Sequence, residues 1–501
     1  MPADLRVRLA ISAAAGAALS LAFAPLNLWP LALLAPALLM ALWQDARPRH
    51  AAALGFWFNL GTFASGTYWL YISIHQVGAA PVWVACIAIG GLIGILSLYG
   101  ALLGWAVARC LPGSGALRWM AGLPAAWLLV EWFRGWFLTG FPWLSLGYSQ
   151  TGTWLAGIAP VLGVYGVSAL VLVGAGALVT LWRGSRRERW LAVAVLGLVW
   201  GVPAWLRAIP WTHAAGPAVS IAIVQGDIPE DEKLQRQDLS LQADTYRTLT
   251  RQALGAQVIF WPEAALPDIL QHFGDYMLER YHEASAHHSA LVVGMLRETG
   301  QGDLYNSIMT LGDTVAFYDK MHLVPFTEVI PGPAFAHRWL QLLDLPYEGF
   351  TYGGSEQPPL PAAGLVLLPA VCYDDAYGSS NLHMLPTANA LVTVTNDAWF
   401  GHSTARYQHL QIAQMRAIET GRYLVRAAND GISGVIGPDG RVRVTAPGWV
   451  PTVLHASVVP MLGLPPYARV GNWLIICLSA TTLAAILAAG YIRRARHNLG
   501  R

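Results

Sequence analysis

The chain has 501 residues, of which 55% are hydrophobic and only 12% charged. Soluble domains carry roughly a quarter charged residues, so much of this chain must lie in lipid. A net charge of +2 gives no reason to expect a nucleic-acid partner, and 4 Cys are too few for a disulfide framework.

From Arg8 to about Pro210 the chain is a series of long apolar runs broken by short polar loops. A helix that crosses a bilayer needs about 20 mostly apolar residues. Seven crossings are predicted before the polar region: Leu9–Phe23, Leu28–Trp43, Ala52–Ile74, Val82–Ala108, Trp119–Leu138, Trp154–Trp182 and Trp190–Leu206. An eighth, Trp473–Tyr491, follows it. Arg6 and Arg8, Arg47 and Arg49, Arg109 and Arg118, Arg183 to Arg189, and Arg493 to Arg496 fall on one side of this series. The alternate loops carry no Lys or Arg. This positive-inside pattern places both termini in the cytoplasm and the polar region outside. The first run, with Ala22-Phe23-Ala24 at its end, is read as an uncleaved helix and not as a removable leader.

Within the membrane part, Glu131 and Arg134 lie three apart and share a helix face. Charges at this depth usually face a bundle interior. They are read either as a pair pinning helices or as a substrate contact. The outer loop Thr139–Gln150 is aromatic, as an interfacial belt would be. Its sharper reading is the floor of a lipid cavity lined by Trp143 and Tyr148, with Tyr68, Trp69 and His75 adding to it.

Charged residues become common near His213. Strands are predicted at Val219–Val224, Val258–Trp261, Ala290–Met295, Ser307–Leu311, Val315–Tyr318, Val366–Val371, Ala390–Thr395, Tyr423–Ala427 and Gly434–Ile436. Helices are predicted at Leu239–Leu254, Tyr276–Ala286 and Ala405–Glu419. This interleaving argues for α/β layers with buried sheets. The expected division is 1–212 for the seven helices, 213–465 for an outer catalytic domain, and 466–501 for the eighth helix and a basic tail.

The run Leu367–Asp375 reads as a buried strand ending in a turn, with Cys372 at its tip. No other Cys lies between Cys110 and Cys477. Glu263 and Lys320 likewise follow strand candidates. An acid, an amine and a thiol at three strand ends could converge at one edge of a sheet. Such a trio suits acyl transfer: a thiolate nucleophile, a carboxylate that takes its proton, and an ammonium facing the oxyanion. Glu328 could hold Lys320 charged, and the backbone N–H of Tyr373 could assist.

The order Trp261-Pro262-Glu263, Tyr318-Asp319-Lys320 with Leu323-Val324-Pro325-Phe326, then Cys372-Tyr373 resembles the nitrilase superfamily. Val224–Pro229, Lys320–Glu328, Thr395–Gly401 and the loop Phe141–Gln150 are similar to its membrane branch, the apolipoprotein N-acyltransferase family. The resemblance implies a bundle of eight transmembrane helices carrying an α-β-β-α sandwich. It implies a bacterial inner-membrane enzyme with a periplasmic catalytic domain and no metal or other cofactor. Its acyl donor would be a phospholipid, typically phosphatidylethanolamine. The chain would pass through a Cys372 thioester to the α-amino group of a diacylglyceryl-cysteine lipoprotein. Glu263 would be the base, Lys320 the oxyanion partner, and Glu328, Tyr373 and Asp374 supports. Two positions depart from the family pattern: Asp374 stands where Glu is common, and Leu234 where an aromatic is. Nothing in the triad excludes water as acceptor, as in an amidase. A transporter would need paired broken helices and midplane charges. The Gly/Pro-rich stretches Pro325–Pro333 and Gly349–Pro361 are expected to be lids.

Overall fold

The computed structural model describes residues 3–499 apart from 112, 114, 230–238, 267 and 330–348. The chain divides into two compact units, Met1–Tyr71 with Pro81–Ile209 and Val470–Arg501, and Ile72–Ala80 with Pro210–Arg469.

The first unit is helical. Its elements are α1 (Ala3–Ser20), α2 (Leu31–Trp43), α3 (Pro48–Gly66), α4 (Val82–Cys110), α5 (Leu123–Arg134), α6 (Ala159–Arg183) and α7 (Arg186–Leu206), completed by a C-terminal helix over Trp473–Leu499. Among the described residues, four of the eight expected spans, Val82–Cys110, Trp154–Arg183, Arg186–Leu206 and Trp473–Ile492, are long and apolar enough to cross a membrane. Three expected crossings come out shorter. The run from Leu28 yields only 13 residues of helix, about 20 Å, because Pro30 sets the start. The run from Trp119 divides into a π turn, Arg118–Gly122, and the 12 residues of α5, which stop at Gly135. The run from Ala52 stops at Gly66, and the following turn Ile72–Val77 belongs to the second unit.

The second unit is a sandwich of two six-stranded sheets. Its strands are β1 (His213–Ala214), β2 (Val219–Gln225), β3 (Val258–Phe260), β4 (Ala290–Glu298), β5 (Leu304–Leu311), β6 (Val315–Asp319), β7 (Leu360–Ala362), β8 (Leu365–Val371), β9 (Ala390–Thr395), β10 (Leu424–Ala428), β11 (Gly434–Ile436), β12 (Val442–Thr445), β13 (Thr452–Val458) and β14 (Met461–Leu462). One sheet runs β13-β2-β3-β4-β5-β6, the other β12-β11-β10-β9-β8-β7. Each has a parallel centre, β2-β3-β4 or β8-β9-β10, with antiparallel flanks.

Alternation along β2 explains the layering. Val219, Ile221 and Ile223 enter a core shared with Leu365, Leu367, Val371, Val392 and Val425 of the opposite sheet. Ala222 and Val224 point the other way. There they meet Tyr246 and Leu249 of α8 (Leu239–Ala253) and Met277 and Ala284 of α9 (Gly274–Ala286). On the far side, Leu391 and Leu424 pack on Ala413 and Ala417 of α10 (Ala405–Thr420) and on Tyr467 of the short α11 (Pro466–Val470). The order is helix, sheet, sheet, helix, as expected. The C-terminal helix, α12 (Trp473–Leu499), then returns to the first unit, where Trp473 lies 6.1 Å from Trp132 of α5.

The nine expected strands are present, with ends shifted by up to three residues. Three longer strands were not expected from the sequence. β12 is largely exposed, β13 is mostly half-buried, and β7 contains Pro361. A proline is tolerated there because β7 is an edge strand.

The turn after β3 lies directly over β4. Trp261 donates its N–H to Val292 O (2.8 Å), and Ala265 to Gly294 O (3.0 Å). A Cβ on Gly294 would stand 2.3 Å from Pro262 O and 2.7 Å from Glu263 Cα. Gly294→Ala is therefore expected to destabilise the domain by about 1–3 kcal/mol, as overpacking does. A lowered thermal unfolding midpoint of the purified protein would register it; an unchanged midpoint would contradict this close approach.

Candidate active site

Glu263 follows β3, Lys320 follows β6 and Cys372 follows β8. The acid and amine thus come from one sheet and the thiol from the other. Convergence at the edge of a single sheet, the expectation from three strand ends, is not what the topology gives. Facing sheets bring their strand ends together instead.

Lys320 is 1% exposed. Its Nζ donates to Glu328 Oε1 (2.8 Å) and Glu263 Oε1 (3.3 Å). Asn306 of β5 donates through Nδ2 to the same two oxygens, at 2.8 Å from Glu263 and 3.1 Å from Glu328. The second oxygen of Glu263 accepts from the N–H of Asn396 (2.9 Å), and that of Glu328 from the N–H of Val324 (2.7 Å). Burial pulls the Lys320 ammonium down, but Glu328 and Glu263 outweigh it and hold the group well above the ordinary lysine range. Burial lifts Glu328 above the usual carboxylate range, against the pull of Lys320. Lys320 is therefore an ammonium with carboxylate partners on two sides.

Cys372 opens a short 3₁₀ turn, Cys372–Ala376, and has φ +49°. Left-handed backbone is uncommon for a residue other than glycine and costs on the order of 1–3 kcal/mol. Anchors on both sides hold it. Asp374 accepts from the N–H of Val371 (3.3 Å), the hydroxyl of Tyr318 (3.1 Å) and the N–H of His322 (2.6 Å). It thereby ties the thiol's turn to the segment that carries Lys320. Asp375 faces the opposite way, toward His409 and Arg426. Burial pushes the Cys372 thiol well up, Glu263 adds to this and Lys320 opposes it. The thiol is thus protonated at rest, within electrostatic reach of a carboxylate and an ammonium. Tyr373 is buried and meets Tyr377 edge-on at 5.3 Å.

The remaining sequence candidates are distributed as follows. In the helical unit, Arg134 donates to Trp143 O (2.9 Å) and Ser145 Oγ (3.2 Å). Glu131 accepts from Ser168 Oγ (2.6 Å) and the N–H of Leu146 (3.3 Å). Both charges thus grip the loop 143–146. They also line a cavity with Tyr99, Asn59, Trp127 and Leu144. Trp69 and Trp143 are buried and pack on each other at 5.4 Å. Tyr148 is buried in a 3₁₀ turn, whereas Tyr68 is 46% exposed. His75 lies in the second unit, its Nδ1 2.7 Å from Ala80 O.

Of the stretches expected as lids, residues 330–333 lie outside the described residues, as does Leu234. The part after Gly349 is strapped down. Phe350 donates to Glu328 O (3.0 Å), Thr351 to Leu304 O (2.7 Å) and Gly353 to Lys320 O (2.8 Å). A Cβ on Gly353 would lie 2.1 Å from Asp319 O, so this approach requires glycine.

Sequence reasoning missed Asn306, Asn396 and the group around His409. Asn396 and Asp397 do stand in the Thr395–Gly401 motif. Asn306 carries no local signal, since its role appears only when β5 pairs with β6.

Asn306→Leu removes a donor shared by two buried carboxylates. Hydrogen bonds to charged groups contribute about 1.5–3 kcal/mol, or roughly one to two pKa units when lost. The charged form of Glu328, already lifted by burial, loses support and titrates higher still. The acid limb of the activity profile is expected to move up by at least about one pH unit. A pH series on the purified variant checks it; an unmoved acid limb would contradict the shared-donor role.

Family models match the chain in two parts. The apolipoprotein N-acyltransferase N-terminal domain matches residues 15–177, and the carbon-nitrogen hydrolase domain residues 220–462. A protein of Methylococcus capsulatus named apolipoprotein N-acyltransferase is 39% identical, over 96% of this chain and 95% of its own. Namesakes from Chromobacterium violaceum (39%, over 99% and 96%) and Azotobacter vinelandii (40%, over 94% and 93%) are similarly close. With both domains matched and the relatives covered over 93–96% of their length, the chain belongs to the apolipoprotein N-acyltransferase family and is an acyltransferase with a nitrilase-like domain.

Proposed function

We propose that the protein transfers a fatty acyl chain from a phospholipid, phosphatidylethanolamine being the expected donor, to the N-terminal α-amino group of a diacylglyceryl-cysteine lipoprotein. One observation carries the reading: a buried ammonium with carboxylates on two sides, Glu263–Lys320–Glu328, beside a thiol at a strained strand end.

In the first half-reaction Glu263 takes the thiol proton as Sγ attacks the ester carbonyl. The C=O electrons move onto oxygen, and the oxyanion meets the Lys320 ammonium and the N–H of Tyr373. An ammonium has three protons; two serve Glu328 and Glu263, which leaves one for the oxyanion. The intermediate collapses to a thioester, and the lysophospholipid leaves as an alcohol with the proton from Glu263. In the second half the α-amine attacks the thioester carbon. Glu263 takes a proton from nitrogen, and the thiolate leaves and is reprotonated. Glu328 keeps Lys320 charged and aimed throughout.

The membrane setting follows from the substrates. Each buried CH₂ is worth about 0.8 kcal/mol, so lifting either lipid into water would be prohibitive. On this reading the chain is a bacterial inner-membrane protein with eight crossings. Both termini are cytoplasmic and the catalytic domain is periplasmic, in line with the basic loops.

Incubated with one defined phospholipid and no amine, the wild-type protein is expected to gain one fatty-acyl mass on Cys372. The adduct should discharge when a lipopeptide with a free α-amine is added. Cys372→Ala should show neither step, and Lys320→Ala should lose the adduct by at least about a hundredfold, the scale for removing an oxyanion donor. Intact-protein mass spectrometry reads both; N-acylation retained by Cys372→Ala would overturn the mechanism.

A further inference from the structure

Behind the Cys372 turn lies a second buried charge cluster that the reaction above does not use. His409 projects from α10 and is 1% exposed. Its Nδ1 stands 2.9 Å from Asp397 Oδ1. Its Nε2 stands 3.1 Å from Asp375 Oδ1 and 3.2 Å from the carbonyl oxygen of Cys372. Arg426 of β10, itself 0% exposed, closes the group through Asp397 Oδ2 (2.9 Å) and Asp375 Oδ2 (3.5 Å). These are the charged groups facing His409 from the turn, the β9 exit and β10.

Every one of these atoms facing the two ring nitrogens is an acceptor. A neutral imidazole has a single N–H and would set a lone pair against a carboxylate. An imidazolium donates on both sides. It also balances the cluster, two aspartates against Arg426 and His409. Burial and Arg426 pull His409 down, but Asp375 and Asp397 outweigh them and raise it to about 9. Asp397 is held well below the usual carboxylate range; Arg426 and His409 outweigh its burial. A raised histidine gives stability that is whole below its ordinary value of 6.5 and lost as pH rises through about 9.

We propose that His409, as an imidazolium held between Asp375 and Asp397, is a positioning residue for the nucleophile: it fixes the carbonyl of Cys372 and cancels the negative charge behind the thiol. The first effect secures the left-handed residue from the side opposite Asp374. The second keeps Asp397, which raises the thiol's proton affinity, from acting as an unbalanced anion. The proposal rests on Cys372 being the nucleophile, and its test uses neither phospholipid nor lipoprotein, so the two readings fail separately.

The full-length protein in nanodiscs is treated with iodoacetamide across a pH series, and alkylation of Cys372 is followed by peptide mass mapping. His409→Gln leaves a net negative cluster. It should move the Cys372 profile up by about one pH unit, slowing alkylation roughly tenfold below the thiol's pKa. Asp375→Asn combined with His409→Gln restores the balance and should bring the profile back toward wild type. A His409→Gln profile superimposed on wild type, or no recovery in the double variant, overturns the proposal. Wild-type protein carrying ¹⁵N-His and ¹³C-Cys needs no variant. A ring-nitrogen cross-peak to the Cys372 carbonyl carbon, with both nitrogens protonated at pH 7 and titrating near pH 9, is expected. A neutral ring at pH 7 overturns it.

Discussion

The site depends on keeping one ammonium charged where water does not reach it. A buried ion is costly unless it is paired and its remaining hydrogen-bonding groups are met. Lys320 meets this with two carboxylates, and those are met in turn by Asn306 and by the N–H groups of Asn396 and Val324. Two acids against one base leave a net negative charge. That charge stands within electrostatic reach of the Cys372 thiol. Burial and Glu263 together hold the resting thiol protonated, so Cys372 differs from a thiol stored as a thiolate beside a cation.

Two consecutive aspartates divide the work of holding the Cys372 turn. In a 3₁₀ turn neighbouring side chains diverge, so Asp374 reaches the Lys320 segment while Asp375 reaches His409 and Arg426. The strained residue is clamped from both sheets. Asp374 stands where the family often has Glu, and its contacts to Val371, Tyr318 and His322 show how the shorter acid still spans the gap between β8 and β6.

The strand ends carrying Glu263, Lys320 and Cys372 were legible because each closes a short, apolar, β-branched run. Their meeting on two sheets was not, because period-two alternation fixes which face is buried but not which sheet a strand joins. The same limit hid Asn306 and His409. An asparagine inside β5 and a histidine on a buried helix look alike whether they fill space or bridge charges. β13 was missed because exposed and half-buried positions interrupt its apolar pattern. The membrane runs were read by length, and their breaks at Pro30 and Gly135 shortened them. Glu131 and Arg134 were legible as buried charges, but their grip on loop 143–146 depends on a fold-back invisible to spacing.

The two charge clusters flanking Cys372 differ in balance, and the difference has a direction. On the Glu263 side the formal charges leave one negative in excess. On the His409 side two aspartates face Arg426 and a protonated ring, and they cancel. A proton on Sγ therefore sees an attractive field toward Glu263 and a compensated one behind it. Were the ring neutral, the thiol would stand between two anionic groups, its anion opposed from both sides and its proton drawn both ways. Breaking a buried ion pair costs about 3–5 kcal/mol because the abandoned charge stays behind, so such a ring would also load the strained Cys372 turn it supports. The same imidazolium that keeps the fold tight thus keeps the field at the sulfur pointing one way.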